Sequence, residues 1–376
     1  MLCGAAAAWG APAASVRVTV TNPLDLARPS AAVELSAEAL ARHLPAAPLE
    51  KLSVEDEAGR PVLAQALDLD GDGAREALLF QADFGPRQAR TFVVRAVEPP
   101  RPRPSDFRVY GRFVRERFDD FAWENDRTAH RMYGPALETW QKEPLTSSTV
   151  DIWLKRTRRL VLNDWYLADD YHRDHGEGAD FYSAGPSRGC GGSGLWQDAR
   201  LWNAKNFRQS RVLAAGPLRL VFELTYLPWQ AGAAQVSEVK RVTLDAGSNL
   251  NRFESFYTVE GPAPQAVAVG IKKDPREERR AERAGVLRTW APVKGGTGSF
   301  GCAVLFDPAA LVDFAEADNN HLALLRLPAD GRLAYHAGGG WDQSGDFASL
   351  ADWDRYLNDF AAGLRAPLRV ELAAAP

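Results

Sequence analysis

The chain has 376 residues, 45% of them apolar and 25% charged, with a formal net charge of −4. That supplies core for one large domain or two modest ones, and it lacks the basic excess that nucleic-acid binding requires. No run of about 18 or more apolar residues follows the N-terminus, so no membrane-spanning helix is expected.

Taken in chain order, the first residues read MLCGAAAAWGAPAAS, an alanine-rich stretch closing on small residues. It looks like the end of a secretory signal peptide whose positive segment is missing. Residues 1–15 are therefore expected to be a leader remnant, and the chain to be exported to the periplasm or beyond. Too few residues precede Cys3 for a lipoprotein signal.

From Val16 the pattern alternates, with Val16, Val18 and Val20 on one side of a strand. Similar runs, rich in Val, Phe, Tyr and Thr and bounded by Gly, Pro, Asn or Asp, recur at Thr91–Val97, Leu218–Tyr226, Val239–Leu244, Phe253–Val259 and Ala266–Ile271. Ala303–Phe306, His321–Leu327 and Leu368–Leu372 continue them. Helical spacing is confined to Ser36–His43, Asp106–Phe113 and Leu350–Leu364, the last with Trp353, Tyr356, Leu357 and Phe360 on one face. The expectation is a mainly β fold, a large antiparallel β-sandwich with a few short helices. The proline-rich segment 99–105 reads as a linker. It would separate an N-terminal strand region, residues 16–98, belonging to the same sandwich, from the main body at 106–376.

Cys3, Cys190 and Cys302 are too few for a disulfide framework and lack zinc spacing. Cys190 and Cys302 form either one bridge or two free buried thiols. Eleven tryptophans, most between Trp123 and Trp229, serve as core or as stacking surfaces for sugar rings.

The segment Asp68-Leu-Asp70-Gly-Asp72 resembles the opening of a calcium loop, but its twelfth position is Leu79 rather than Glu. A hairpin turn capped by the aspartates is expected, with a small structural calcium site at Asp68, Asp70 and Asp72 as the alternative.

Ionisable groups are densest in Tyr171-His172-Arg173-Asp174-His175-Gly176-Glu177-Gly178-Ala179-Asp180-Phe181-Tyr182. Gly185, Gly189, Gly191, Gly192 and Gly194 follow, read as an irregular loop that admits a ligand close to backbone. This stretch holds either divalent-metal ligands or acid–base groups. A second cluster runs from Trp123 to Pro135. As a strand, Thr128–Tyr133 would place Thr128, His130 and Met132 on one face and Ala129, Arg131 and Tyr133 on the other. A third places Asp151, Trp153 and Lys155 on one side of a strand, and His336-Ala-Gly-Gly-Gly-Trp341 offers a sugar-stacking rim or a plain loop. Serine-elbow, phosphate-loop, dinucleotide and HExxH motifs are absent.

The blocks WENDRTAHRMYGPALE, VDIWLKRT and DYHRDHGEGADFYSAGPSRGCGG resemble those of a bacterial family known as domain-of-unknown-function family 4861, over nearly the whole chain. KRVTLDAGSNLNRFESFY is similar to strands of galactose-mutarotase-like sandwiches. The first resemblance implies an exported protein associated with degradation of pectin and other uronate-bearing polysaccharides, and so an acidic sugar as ligand. The fold likeness does not choose a reaction.

Two enzymatic readings follow. Elimination would use His172 or His175 as base, Arg131 or Lys155 to neutralise the substrate carboxylate, and Tyr171 or Tyr182 as acid. Hydrolysis would use Glu177 with Asp180 or Glu124. Glu124, Arg127, His130, Tyr133, Trp165 and Trp341 would line the sugar site. A non-catalytic sugar-binding protein and a mutarotase-like isomerase are the alternatives.

Overall fold

The computed structural model describes residues 14–45, 47–141 and 144–375; the leader-like residues 1–13 and Cys3 lie outside them. The chain is mainly strand, arranged in antiparallel ladders, as the alternating runs predict. It divides into two compact units, one of residues up to Pro102 plus the C-terminal stretch from Ala366, the other Arg103–Arg365.

In the smaller unit one sheet has the order Arg369–Ala374, Ser15–Thr21, Ala89–Arg95, Ser53–Glu55 and Pro61–Val62, and a second joins Arg28–Ser36, Ala77–Phe84 and Ala64–Leu67. Val16, Val18 and Val20 are fully buried, together with Phe80, Phe92 and Leu35. Each such side chain is worth about 1.5–3 kcal/mol of transfer free energy. Ser36 caps the short helix Ala37–Ala41 by accepting the Ala39 N–H at 3.1 Å. Two sequence expectations are corrected. The N-terminal strands build their own sheets and core rather than extending the sandwich, and Arg369–Ala374 leaves the main body to pair with Ser15–Thr21. Sequence separation hid that return.

The larger unit contains an eight-stranded sheet, in which Arg219–Ala231, Ala234–Asp245 and Leu250–Glu260 are consecutive neighbours, and two five-stranded sheets. One core draws on all three, with Phe222, Val242, Val269, Ile152 and Tyr335 fully buried. The helix Leu350–Arg365 buries Trp353 and Leu357, with Tyr356 stacked on Trp353.

Three local readings change. Asp106–Phe113 is not a helix but a 3-10 turn, Pro104–Asp106, leading into the strand Val109–Val114; its alternating apolar residues have strand period. The glycine-rich Cys190–Gln197 is a buried strand, not a loop. Its glycines permit close packing: a Cβ at Gly191 would collide with Ala337 and one at Gly194 with Asn203. Likewise Gly338–Gly340 lie in the strand Arg332–Trp341, and a Cβ at Gly340 would meet Trp353 and Phe347.

Candidate active site

One five-stranded sheet has the order Gly178–Ala179, Asp151–Lys155, Thr128–Met132, Asp120–Asn125 and Val109–Val114, and its three middle strands are buried at every position. Arg131 pairs with Asp151 and Ala122, and Ala129 with Trp153 and Glu124. The two-residue period therefore sorts the side chains. Phe121, Trp123, His130, Met132 and Ile152 point to the main core. Asp120, Glu124, Arg131, Asp151, Trp153 and Lys155 share the opposite face. The alternation read for Thr128–Tyr133 and Asp151–Lys155 is what the sheet adopts.

On that face Arg131 is held by acids. Its Nη2 and Nε donate to Asp151 Oδ2 at 2.6 and 3.1 Å, Nη2 also reaches Asp180 Oδ2 at 3.2 Å, and Nε lies 3.8 Å from Asp120 Oδ2. Its Nη1 donates to the Tyr171 hydroxyl at 3.3 Å. Three buried carboxyls thus share one guanidinium. Burial pushes the Asp120 carboxyl up to about 7, and burial plus the neighbouring Asp151 charge pushes Asp180 well above the carboxylate range. Asp120 Oδ1 accepts the Gly134 N–H at 2.9 Å, whereas Asp180 Oδ1 is buried without a hydrogen-bond partner.

Beside these residues opens a cleft of about 340 Å³. Asp120, Arg131, Tyr133, His172, Asp180 and Tyr182 line it, with Arg117, Phe118, Trp140 and Lys294 on the same wall system. His172 Nδ1 lies 3.1 Å from the Asp180 carbonyl and 3.4 Å from its carboxylate. Tyr133 is buried and Tyr182 half-buried with its hydroxyl inside, and burial pushes both hydroxyls far above the ordinary phenol value, so neither is a phenolate base. Of the groups expected at the site, Arg131, Tyr133, His172, Asp180 and Tyr182 meet here.

The others do not. His175 is exposed and pairs with Asp170 at 3.1 Å, and Glu177 is bound to Arg159, which also holds Asp164. Tyr171 is buried beside Arg131, stacked on Trp153 at 5.1 Å, and Trp165 is buried and stacked on Trp153 at 5.8 Å. Lys155 and Glu124 share the sheet face with Arg131 but form a sealed pair at 2.6 Å. Glu124 also accepts the Val161 and Leu162 N–H groups that open the helix Leu162–Ala168. Arg127 is ion-paired with Asp346. His130 faces the main core, stacked on Trp123 at 5.3 Å and bonded to Asn251, and burial lowers it to about 3, so it stays neutral. Trp341 is buried with its indole N–H on the Thr297 carbonyl and Arg156 over its ring, so it forms no rim. Except at His175, whose partner Asp170 is near in sequence, a distant partner, invisible along the chain, absorbs the group.

Asp120, Arg117, Phe118, Trp140 and Lys294 were not expected at a site. Asp120 carried a signal: an aspartate pair set among apolar and aromatic residues in Phe118-Asp-Asp-Phe121. Cys190 and Cys302 are both free and buried.

In the smaller unit, Asp68, Asp70, Asp72 and Glu76 each bring an oxygen to within 4.8 Å of the others. They sit on the hairpin between Ala64–Leu67 and Ala77–Phe84. Asp68 accepts from Gly73 N at 3.0 Å, Asp70 from Asp72 N at 3.0 Å and Asp72 from Ala74 N at 2.7 Å, which is the turn-capping role expected of them. An all-oxygen donor set of this kind also suits calcium.

The fold and cleft define a mainly β chain of two units with an acid-rich pocket on one sheet face. The chain belongs to the family described as Domain of unknown function (DUF4861), whose pattern matches residues 20–370. It is 31% identical to Uncharacterized protein P7 of Formosa agariphila over 94% of this chain and 93% of that one. Among solved structures it is similar to an alpha-mannosidase from Enterococcus faecalis V583, with a TM-score of 0.52 and 10% identity over 96% of this chain and 46% of the other. A protein in glycosyl hydrolase family 38 from Enterococcus faecalis matches with a TM-score of 0.53 and 9% identity over 96% and 47%. These two likenesses establish the fold alone, and the chain spans about half the length of those enzymes.

Proposed function

We propose that this chain is an exported carbohydrate-active enzyme that hydrolyses glycosidic bonds in uronate-bearing, pectin-type oligosaccharides, with Asp180 as general acid and Asp120 as its carboxylate partner. One observation carries the reading: Asp180 Oδ1 is buried on the cleft wall with no hydrogen-bond partner. A protonated carboxyl in that position needs an acceptor, and a glycosidic oxygen supplies one. Glycoside hydrolysis uses two carboxyls whose surroundings push their proton affinities apart. Burial raises both carboxyls, with the Asp151 charge the next cause at Asp180 and the Arg131 guanidinium opposing the rise at Asp120. Arg131 then orients the pair and compensates Asp151.

Elimination is less well supported, because both cations named for it, Arg131 and Lys155, are already spent on acids. An acidic sugar is favoured by Arg117 and Lys294, which line the cleft and form no ion pair among the described residues. The sugar reading is also supported by the fold likeness to an enzyme named as an alpha-mannosidase, and the alanine-rich start supports export.

The test is incubation of the protein with galacturonate and other uronate oligomers. New reducing ends without ultraviolet absorbance from an unsaturated product are expected, with loss of turnover in Asp180→Asn. Unsaturated product would replace hydrolysis by elimination. Binding without any product at any pH would leave a sugar-binding module.

A further inference from the structure

Asp120 is preceded by two non-glycine residues in left-handed backbone conformation, Phe118 (φ 54°, ψ 37°) and Asp119 (φ 62°). A phenylalanine resists this region, because its Cβ crowds the following carbonyl, and strain of this kind persists only where surrounding structure fixes it. Here Gly134 fixes it. A Cβ at Gly134 would collide with the Asp119 carbonyl, while the Gly134 N–H holds the Asp120 carboxylate. The same turn therefore sets the floor carboxyl and swings Phe118 onto the cleft.

There the Phe118 ring lies 4.5 Å from Trp140 with 33° between planes. Both are only half-buried and both line the cleft, unlike the buried Phe121–Phe222 stack in the core. The Arg117 guanidinium lies 5.5 Å from the Phe118 ring and 5.1 Å from that of Tyr171, and it has no hydrogen-bonded acid among the described residues. An aromatic surface beside a guanidinium with no hydrogen-bonded acid, one turn from a carboxyl, matches the apolar face and carboxylate of a uronate ring.

We propose that Phe118 and Trp140 form a sugar-stacking platform at this cleft and that Arg117 contacts the carboxylate of the stacked uronate. The assignment rests on the carbohydrate reading above. Binding of galacturonate oligomers, and of neutral galactose oligomers of equal length, is measured by titration calorimetry on the full chain carrying Asp180→Asn to stop turnover. Trp140→Ala is expected to weaken binding of both about tenfold, consistent with the worth of one stacked aromatic contact. Trp140→Phe is expected to recover most of it. Arg117→Gln, which leaves the platform in place, is expected to lower affinity for the acidic oligomer only.

Unchanged binding in Trp140→Ala with an intact thermal transition would overturn the platform. Should that variant fail to fold, an Arg117→Gln chain that binds acidic and neutral oligomers as its parent does would overturn the carboxylate contact, and a Trp140→Phe chain losing all binding would overturn stacking. A parent chain that binds neither oligomer overturns both this assignment and the carbohydrate reading. Trp140-dependent binding by a chain whose Asp180→Asn form still turns over at the full rate would remove the hydrolytic reading and leave the platform.

Discussion

Two buried charge clusters lie on the same face of one five-stranded sheet, and they are built to different rules. At Lys155 one cation meets one carboxylate at 2.6 Å, the ammonium also donates to Asn125 O, and both carboxylate oxygens accept from the Val161 and Leu162 amides. At Arg131 one cation faces three carboxyls, and an oxygen of Asp180 has no partner. The first arrangement is self-contained, and it ties the sheet to the helix Leu162–Ala168. The second leaves a carboxyl oxygen without a hydrogen bond beside an open cleft. An incomplete cluster costs stability in the resting protein, and a ligand that completes it recovers that cost. Buried charge alone is therefore no mark of a working site.

Substitutions can break or sharpen this contrast. The largest effect is expected from Asp180→Asn, which should lower turnover by about 10²–10⁴-fold while the thermal midpoint stays level or rises, since a neutral amide of the same size replaces a carboxyl whose charged form burial and Asp151 disfavour. Turnover assays and calorimetry on the same sample check it. Lys155→Met should do the reverse. Leaving Glu124 buried and uncompensated is expected to cost about 3–5 kcal/mol in urea denaturation, with the turnover of the folded fraction unaltered.

The next effect is a pH dependence. The folded Asp120 carboxyl sits at about 7, above its ordinary 3.8, so the native chain binds that proton more tightly than the unfolded chain does. Its contribution to stability is complete below the ordinary value and is lost as pH rises through about 7. Activity should move the other way, climbing through about pH 7 as Asp120 ionises. Asp120→Asn should abolish that limb of the pH–stability curve, measured by thermal melts across the range. The smallest effect belongs to His175→Ala. An exposed histidine away from the cleft should change stability by no more than about 0.5 kcal/mol and leave turnover alone, whereas His172, whose ring lines the cleft, should respond.

Much of the fold was legible because strand period is a local property. Val16, Val18 and Val20 alternate and are buried; Ala234–Asp245 repeats the pattern over twelve residues. The family was legible for a related reason, since its long blocks are contiguous. The site was legible only in part. His172, Asp180, Tyr182, Arg131 and Tyr133 were found because ionisable and aromatic groups crowd their segments. Glu177, His175 and Trp341 were found by the same signal and lie elsewhere, and Asp120 and Trp140 were passed over because their segments look apolar. The glycines of Cys190–Gln197 misled for another reason. Glycine serves a loop and a tightly packed strand equally well, and the neighbour that decides, Ala337, is far away in sequence.

By itself, then, the sequence determined a mainly β chain, its strand faces, its family and the neighbourhood of its polar groups, all of which follow from residue spacing of two and from contiguous blocks. Only the tertiary structure decided which charges are spent. Lys155 meets Glu124 across two strands, Arg127 meets Asp346 across most of the chain, and three aspartates from three strands' ends and loops converge on Arg131. Ion pairing depends on distance in space, and local sequence pattern carries no record of it.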